Sequence, residues 1–370
     1  MKRILISRAL QSNLYISQII TRKYTTSAIK FPGIPDSESV KAELQKFSNS
    51  GKIHRDVIIK ESAIDYFDTK LCNKIDLKGK TVIELYPGPG LLTRSILKQD
   101  PAGIIPIDPV SGFGRQMQEL EESTGIPIEH EMYDNSPSLN IGSVLQDKLP
   151  VEKQKLKRET HSYKTMHPNL VMIGATNDEW KSTQLIHHIV ESSYHREGWF
   201  KYGRFPIYLL LSQAALKKLG KGVKLPWAIS SLFDVYLEGI EGKKFEIQPK
   251  NFNDKNLQLI PNDIWLISSG RKKVGVLKLV PLEEPKIKAP LYIFTNILFL
   301  FGQSKSAKLK SAIKTLDPGS EAVLSLIPQI DPNTKCKDLT LEELDAICIE
   351  YLNWYKKAFG KEPPKPMYMI

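Results

Sequence analysis

A run of β-branched and apolar residues that breaks into a proline-glycine turn sets the strongest limit on what this chain can become. Thr81, Val82, Ile83, Glu84 and Leu85 read as a short strand, Pro87-Gly88-Pro89-Gly90 as a turn, and residues 91–98 as a helix. The chain then continues in the same rhythm. Residues 103–108 form a second strand ending in the acid Asp108, followed by a helix over 115–122, a third strand over 127–132 and a fourth over 170–173. A long helix over 178–196, a buried strand over 206–211 and a helix over 213–219 follow. Strands alternating with helices predict an α/β fold with a mostly parallel sheet and a ligand site at the carboxyl ends of its strands. At that edge a glycine turn lets backbone approach a nucleotide, and an acid ending the next strand accepts from ribose hydroxyls. Gly88 and Asp108 stand at that spacing. By itself the pattern fits an adenosine-type cofactor; a turn that is glycine-rich for geometry alone fits it equally.

From 232 to 280 the pattern turns to strands, with 233–237, 265–268 and 274–280 as candidates. Prolines between Pro281 and Pro290 forbid regular structure and mark a boundary, beyond which the chain reads as helical to near Phe359. The expected parts are an α/β domain over 45–285, a helical domain over 286–360 and a flexible tail over 361–370. A chain of 370 residues, 41% of them hydrophobic, has material for such a core and a smaller second domain. Residues 136–168 read as a polar surface insertion. Its run Lys153-Gln154-Lys155-Leu156-Lys157-Arg158, flanked by Glu152 and Glu159, suits either a solvated helix face or a nucleic-acid contact.

Up to Pro35 there is no acidic residue, while Lys2, Arg3, Arg8, Arg22, Lys23 and Lys30 lie among Ile, Leu, Ser and Thr. This is the composition of a mitochondrial transit peptide, with cleavage expected near residue 24 and the mitochondrial matrix as destination. Those six residues carry more than half of the net charge of +11, leaving about +5 for the rest. A nucleic-acid surface must therefore come from local patches. The longest apolar run, 291–301, is interrupted by Thr295 and Asn296 and is too short to span a membrane. Cys72, Cys336 and Cys348 are far apart and odd in number, so they read as buried or free thiols in a reducing compartment. His187, His188 and His195 have no acidic or cysteine partner at metal-ligand spacing, and no metal site is expected.

Taken in order, these motifs resemble the ribosomal RNA adenine dimethyltransferase family over about residues 45–355. Glu84-Leu85-Tyr86-Pro87-Gly88-Pro89-Gly90-Leu91-Leu92-Thr93 is similar to that family's first cofactor motif, and Gly51-Lys52-Ile53-His54-Arg55-Asp56 to the segment that folds over the cofactor. The resemblance implies a class I methyltransferase-like (Rossmann-like) sheet with a small C-terminal helical domain. It further implies S-adenosylmethionine as the cofactor, with His54, Tyr86, Gly88, Asp108 and Glu131 around it: Asp108 at the ribose and Glu131 near the adenine. Val276-Leu277-Lys278-Leu279-Val280-Pro281 is similar to the strand closing the catalytic domain, and 301–309 to the helical domain that lies against RNA in those enzymes.

Two positions depart from the family. Tyr86 replaces a glycine and takes space the cofactor uses. At the fourth strand the family carries an Asn or Asp and, three residues on, an aromatic; this chain has Met172-Ile173-Gly174-Ala175-Thr176-Asn177. The adenine amino group is a poor nucleophile, so those enzymes orient its lone pair with the amide or acid and stack the extruded base on the aromatic. Gly174 stands in the place of that Asn and offers no acceptor, so no catalytic residue is expected. Leu85-Tyr86-Pro87-Gly88, Glu131-Met132-Tyr133-Asp134 and 198–203 are similar to segments of one non-methylating branch, the fungal mitochondrial transcription factors. That resemblance implies a monomeric factor that partners the single-subunit mitochondrial RNA polymerase, melts the promoter and holds the displaced DNA strand. Trp199, Phe200, Lys201, Tyr202 and Arg204 interleave cations and aromatic faces, which suits single-strand contact; aromatics just before a buried strand also pack into cores. Lys305, Lys308 and Lys310 are open to the same two readings, contact or solvation.

Overall fold

The structure is a computed structural model that describes residues 31–46, 57–108, 110–129, 131–132, 145, 147, 154–176, 179–212, 215–216, 224–238 and 274–364. The expected transit segment, His54, the expected 265–268 strand, most of the expected 213–219 helix and the tail from 365 lie outside the described residues.

The N-terminal part gives helix α1 (Ser37–Lys46) and helix α2 (Ser62–Lys70). The expected unit then follows: β1 (Thr81–Leu85), helix α3 (Leu91–Leu97), β2 (Gly103–Asp108) and helix α4 (Gly114–Thr124). β3 is Glu131–Met132, and the start of the expected 127–132 strand pairs through a bridge from Ile128 to Ile104, with Ile104 N donating to Pro127 O and Glu129 N to Ile104 O. β4 (Leu170–Thr176) runs three residues past its expected end, then come helix α5 (Glu179–His195) and β5 (Ile207–Ser212). Helix α6 (Lys224–Leu232), not foreseen from sequence, precedes β6 (Phe233–Glu238) and β7 (Val274–Pro281).

The seven strands lie in the order β3-β2-β1-β4-β5-β7-β6. All neighbouring pairs from β3 to β5 are parallel, and β7 is antiparallel to both β5 and β6. This one reversed strand, next to the edge of an otherwise parallel sheet, is the class I methyltransferase arrangement.

Side-chain alternation along each strand builds the two faces. Ile83, Leu85, Met172, Leu209 and Leu277 point into an apolar layer shared with Leu185, Ile186 and Ile189 of α5 and Ala228, Ile229 and Leu232 of α6. Val82, Val171, Ile173, Leu210 and Val276 point the other way, toward Phe67 of α2, Ile96 and Leu97 of α3, and Met117 and Leu120 of α4. The strands near the centre are apolar on both sides because both faces are covered, as parallel sheets require.

After the proline stretch come helix α7 (Leu291–Gln303), two short helices α8 (Leu309–Ala312) and α9 (Val323–Leu326), and helix α10 (Leu341–Phe359). Helix α10 begins with a capping box, in which Thr340 Oγ1 accepts from Glu343 N and Glu343 returns the bond to Thr340 N. Phe294, Ile297, Phe301, Leu344 and Ile347 continue the α5-side layer without a break. Asp345 anchors the linker by accepting from the backbone N–H groups of Lys288 and Ala289. At the C-terminal end, Pro363 is buried and Glu362 meets Lys356 and the Tyr292 hydroxyl. All three cysteines are buried and free. Among the described residues no helix is long and apolar enough to cross a membrane.

Candidate functional site

The turn after β1 is held in conformations that only certain residues tolerate. Gly88 has φ +58 and Gly90 φ +86; a Cβ on Gly90 would lie 2.9 Å from Leu120 Cδ1 and 3.0 Å from Met117 Cε. Gly90 is therefore required twice, by its backbone and by the close approach of α4. Tyr86 adopts φ +59 without being glycine, a strain on the order of 1–2 kcal/mol. Its N–H donates to Ile107 O at 2.9 Å, and its half-buried side chain packs on the α5-side layer.

Asp108 corrects one expectation. It is fully buried; Oδ2 accepts from Gly88 N and Oδ1 from Val110 N, each at 2.9 Å. An acid two residues before a backbone N–H readily folds back on it. The carboxylate thus clamps the end of β2 to the glycine turn, with no edge exposed for ribose hydroxyls. Glu131 lies in β3 in register with Ile107, at the same edge of the sheet.

Glu84 is the functional-type residue that the sequence reading quoted without assigning it a role. It sits inside β1 with no exposed surface; Oε2 accepts from the Thr93 hydroxyl at 2.8 Å, and Oε1 has no hydrogen-bond partner. Burial pushes its pKa up to about 8, the nearby Asp108 charge adds to the rise, and the Thr93 bond opposes it. The sequence signal was an acid at an inward position of an otherwise apolar strand, two residues before the turn.

At β4 the register revises the sequence reading. Gly174 is not at the loop but inside the strand, paired with Leu85 on one side and Leu209 on the other. A Cβ there would meet Leu85 Cβ at 3.1 Å and Leu209 Cδ2 at 3.3 Å, so this glycine serves packing. The residues that carry β4 beyond the level of Leu85 are Ala175 and Thr176, both buried. Neither is an amide or an acid, and Asn177 lies outside the described residues.

The N-terminal segment lies on the β2 side of this cleft. Val40 and Leu44 of α1 pack with Val57, Val110 and Phe113, directly after Asp108. Upstream, the buried Arg94 donates to Pro32 O at 2.6 Å and Gly33 O at 3.2 Å, beneath the ring of Phe31.

The aromatic-basic segment turned out to be internal. Trp199 and Phe200, in a short 3-10 helix over Gly198–Tyr202, have no exposed surface and cannot stack on bases. The Arg158 guanidinium lies 5.3 Å from the Trp199 ring centroid, and Phe200 stacks on Phe205 at 5.1 Å. The Tyr202 hydroxyl donates to Asp147 Oδ2 at 2.5 Å; Arg204 donates to Pro281 O at 3.1 Å and Lys164 O at 2.9 Å. Of the five, Lys201 is the one with an exposed side chain. The basic run of the insertion is likewise no solvated helix. The Arg158 side chain, 4% exposed, pairs with the buried Glu129 and Asp147, while Lys155 pairs with Glu121 and Lys157 with Glu159. The physical reason is long-range: Arg158 reaches Glu129 29 residues away, Tyr202 reaches Asp147 55 away and Arg204 reaches Pro281 77 away, beyond what a local pattern can report. Among the described residues no group of His, Cys, Asp or Glu is arranged to hold a metal.

The glycine turn keeps the backbone cradle that admits S-adenosylmethionine, so binding is compatible with the turn. The side chains fit it less well: Asp108 is buried and bonded to Gly88 N and Val110 N, and Tyr86 stands in the turn.

No family model matches the chain. It is 25% identical over 308 residues to the mitochondrial dimethyladenosine transferase 1 of Xenopus laevis and 24% over 310 residues to that of Homo sapiens, each covering 80% of both chains. To the Drosophila pseudoobscura protein of the same name it is 22% identical, over 94% of both. Among solved structures it is similar to a dimethyladenosine transferase from Plasmodium falciparum (15% identity, TM-score 0.49, 81% of this chain and 98% of that one). It is also similar to the 23S rRNA methyltransferase ErmE (14%, TM-score 0.44, 80% and 98%). Strand order and cleft thus define a class I methyltransferase-like protein. Its curated relatives are mitochondrial dimethyladenosine transferases, which agrees with a mitochondrial location.

Proposed function

We propose that this protein is a mitochondrial transcription initiation factor of the matrix, a monomer that partners the single-subunit RNA polymerase and binds promoter DNA as it melts, without transferring methyl groups. The observation that carries this reading is the end of β4, where Gly174, Ala175 and Thr176 offer no amide or acid of the kind that adenine methylation uses as acceptor. Tyr86, strained in the turn, and the closed Asp108 clamp support it, because a cleft under selection for cofactor turnover gains nothing from either. The similarity of 85–88, 131–134 and 198–203 to the fungal mitochondrial transcription factors supplies the partner. With Trp199 and Phe200 buried in the core, these two aromatics do not stack on the displaced strand. The names of the relatives favour a second reading, a small-subunit rRNA adenine dimethyltransferase or a silent assembly factor on that RNA.

Run-off transcription with the cognate polymerase on a linear promoter separates the two. The initiation factor gives promoter-dependent transcripts that are absent without it. An rRNA-directed protein leaves the polymerase inactive, and that result rejects the proposal.

A further inference from the structure

Two lysine-bearing segments that lie apart in the sequence are brought side by side by backbone hydrogen bonds. Cys336 N donates to Ala307 O at 3.0 Å, Lys337 N to Lys305 O at 3.1 Å, Leu309 N to Thr334 O at 2.8 Å and Lys310 N to Pro332 O at 2.9 Å, with Lys308 bridged antiparallel to Lys335. Leu309 and Cys336, both fully buried, pin the paired segments to the core. Lys305, Lys308, Lys310, Lys335 and Lys337 are all exposed on this one corner, where Asp331 and Asp338 are the neighbouring acids.

We propose that these five lysines form one surface that holds the phosphodiester backbone of promoter DNA. The inference rests on the reading above and adds to it the surface that meets the nucleic acid. Like charges placed directly opposite across an antiparallel bridge repel, so the fold carries a cost at Lys308 and Lys335 that a polyanion would reverse. Lysine meets phosphate as a mobile point charge. Neither 303–310 nor 331–338 contains an aromatic residue, so the surface has nothing to stack on bases and reads no sequence.

The test is the salt dependence of binding, measured by fluorescence anisotropy of the full-length protein on a labelled promoter duplex, a scrambled duplex and an RNA of equal length. Each lysine-phosphate contact contributes about 0.9 to the slope of log K against log salt on duplex DNA. The variant K308Q/K310Q/K335Q/K337Q is expected to lower that slope by about three and a half on both duplexes. The pairs K308Q/K310Q and K335Q/K337Q should each remove about half of that, which serves if the fourfold variant does not fold. Substituting Lys41, Lys46, Lys157 and Lys164 by Gln should leave the slope unchanged. An unchanged slope in folded variants overturns the proposal, as does a change confined to RNA, or a loss of polymerase binding with the DNA slope intact. A slope that falls on DNA while the unaltered protein fails to support initiation would reject the initiation-factor reading and keep the surface.

Discussion

Two stretches of this molecule, both dense in charged and aromatic side chains, end up in opposite roles. Between Glu84 and Asp108 the polar groups gather at the carboxyl edge of the sheet around a strained turn; between Arg158 and Arg204 the Arg158, Trp199 and Phe200 side chains turn inward and become core. The first stretch is governed by bonds within about 20 residues, such as Gly88 N to Asp108. The second is governed by partners such as Glu129, Asp147 and Pro281, up to 77 residues distant from their donors. Local chemistry marks where a cleft lies, whereas only the folded chain decides which cations face water.

The contrast can be broken by mutation. The largest effect is expected at Arg158→Ala, which strands Glu129 and Asp147 as unpaired buried acids: a loss of about 3–5 kcal/mol in chemical denaturation, where a solvated arginine would cost almost nothing. Gly90→Val should cost about 3 kcal/mol by the same measurement, combining left-handed strain with collision against Leu120 and Met117. Glu84→Gln acts through pH. A carboxyl raised from 4.5 to about 8 contributes stability fully below the unfolded value and loses it as pH rises through 8. The Gln variant should therefore show a flatter stability profile from pH 5 to 9 and exceed the parent by about 1–3 kcal/mol at pH 9. The smallest change in stability, within about 1 kcal/mol, is expected for Tyr86→Gly, where relieved strain offsets lost packing. Calorimetry with S-adenosylmethionine should nonetheless show tighter binding to that variant; equal binding would mean that Tyr86 does not restrict the turn.

Much of the sheet could be read directly. β1 and β2 have their expected bounds, because apolar runs closed by Gly, Pro and Asp are unambiguous. β4 was expected to end at 173, because Gly174 reads as the end of an apolar run until the neighbouring Leu85 and Leu209 explain it as packing inside a strand that continues to Thr176. Helix α6 was hidden by Pro226 within an apolar stretch that reads equally as strand. At the candidate site the turn and its acid were legible as a group, yet the inward direction of Asp108 depended on which N–H groups the fold placed beside it. Glu84 was visible but undistinguished, for the missing donor at its Oε1 is a property of packing alone. The lysines of the C-terminal half were also visible singly, and only the pairing of 305–310 with 332–337 made them one surface.

We propose that the cleft has kept its turn and lost its chemistry. The most direct test is mass spectrometry of small-subunit ribosomal RNA after incubation with the protein and S-adenosylmethionine, beside an active dimethyltransferase as control. The account predicts adenines without added methyl groups at any protein concentration. Dimethyladenosine formed in proportion to the protein would contradict it.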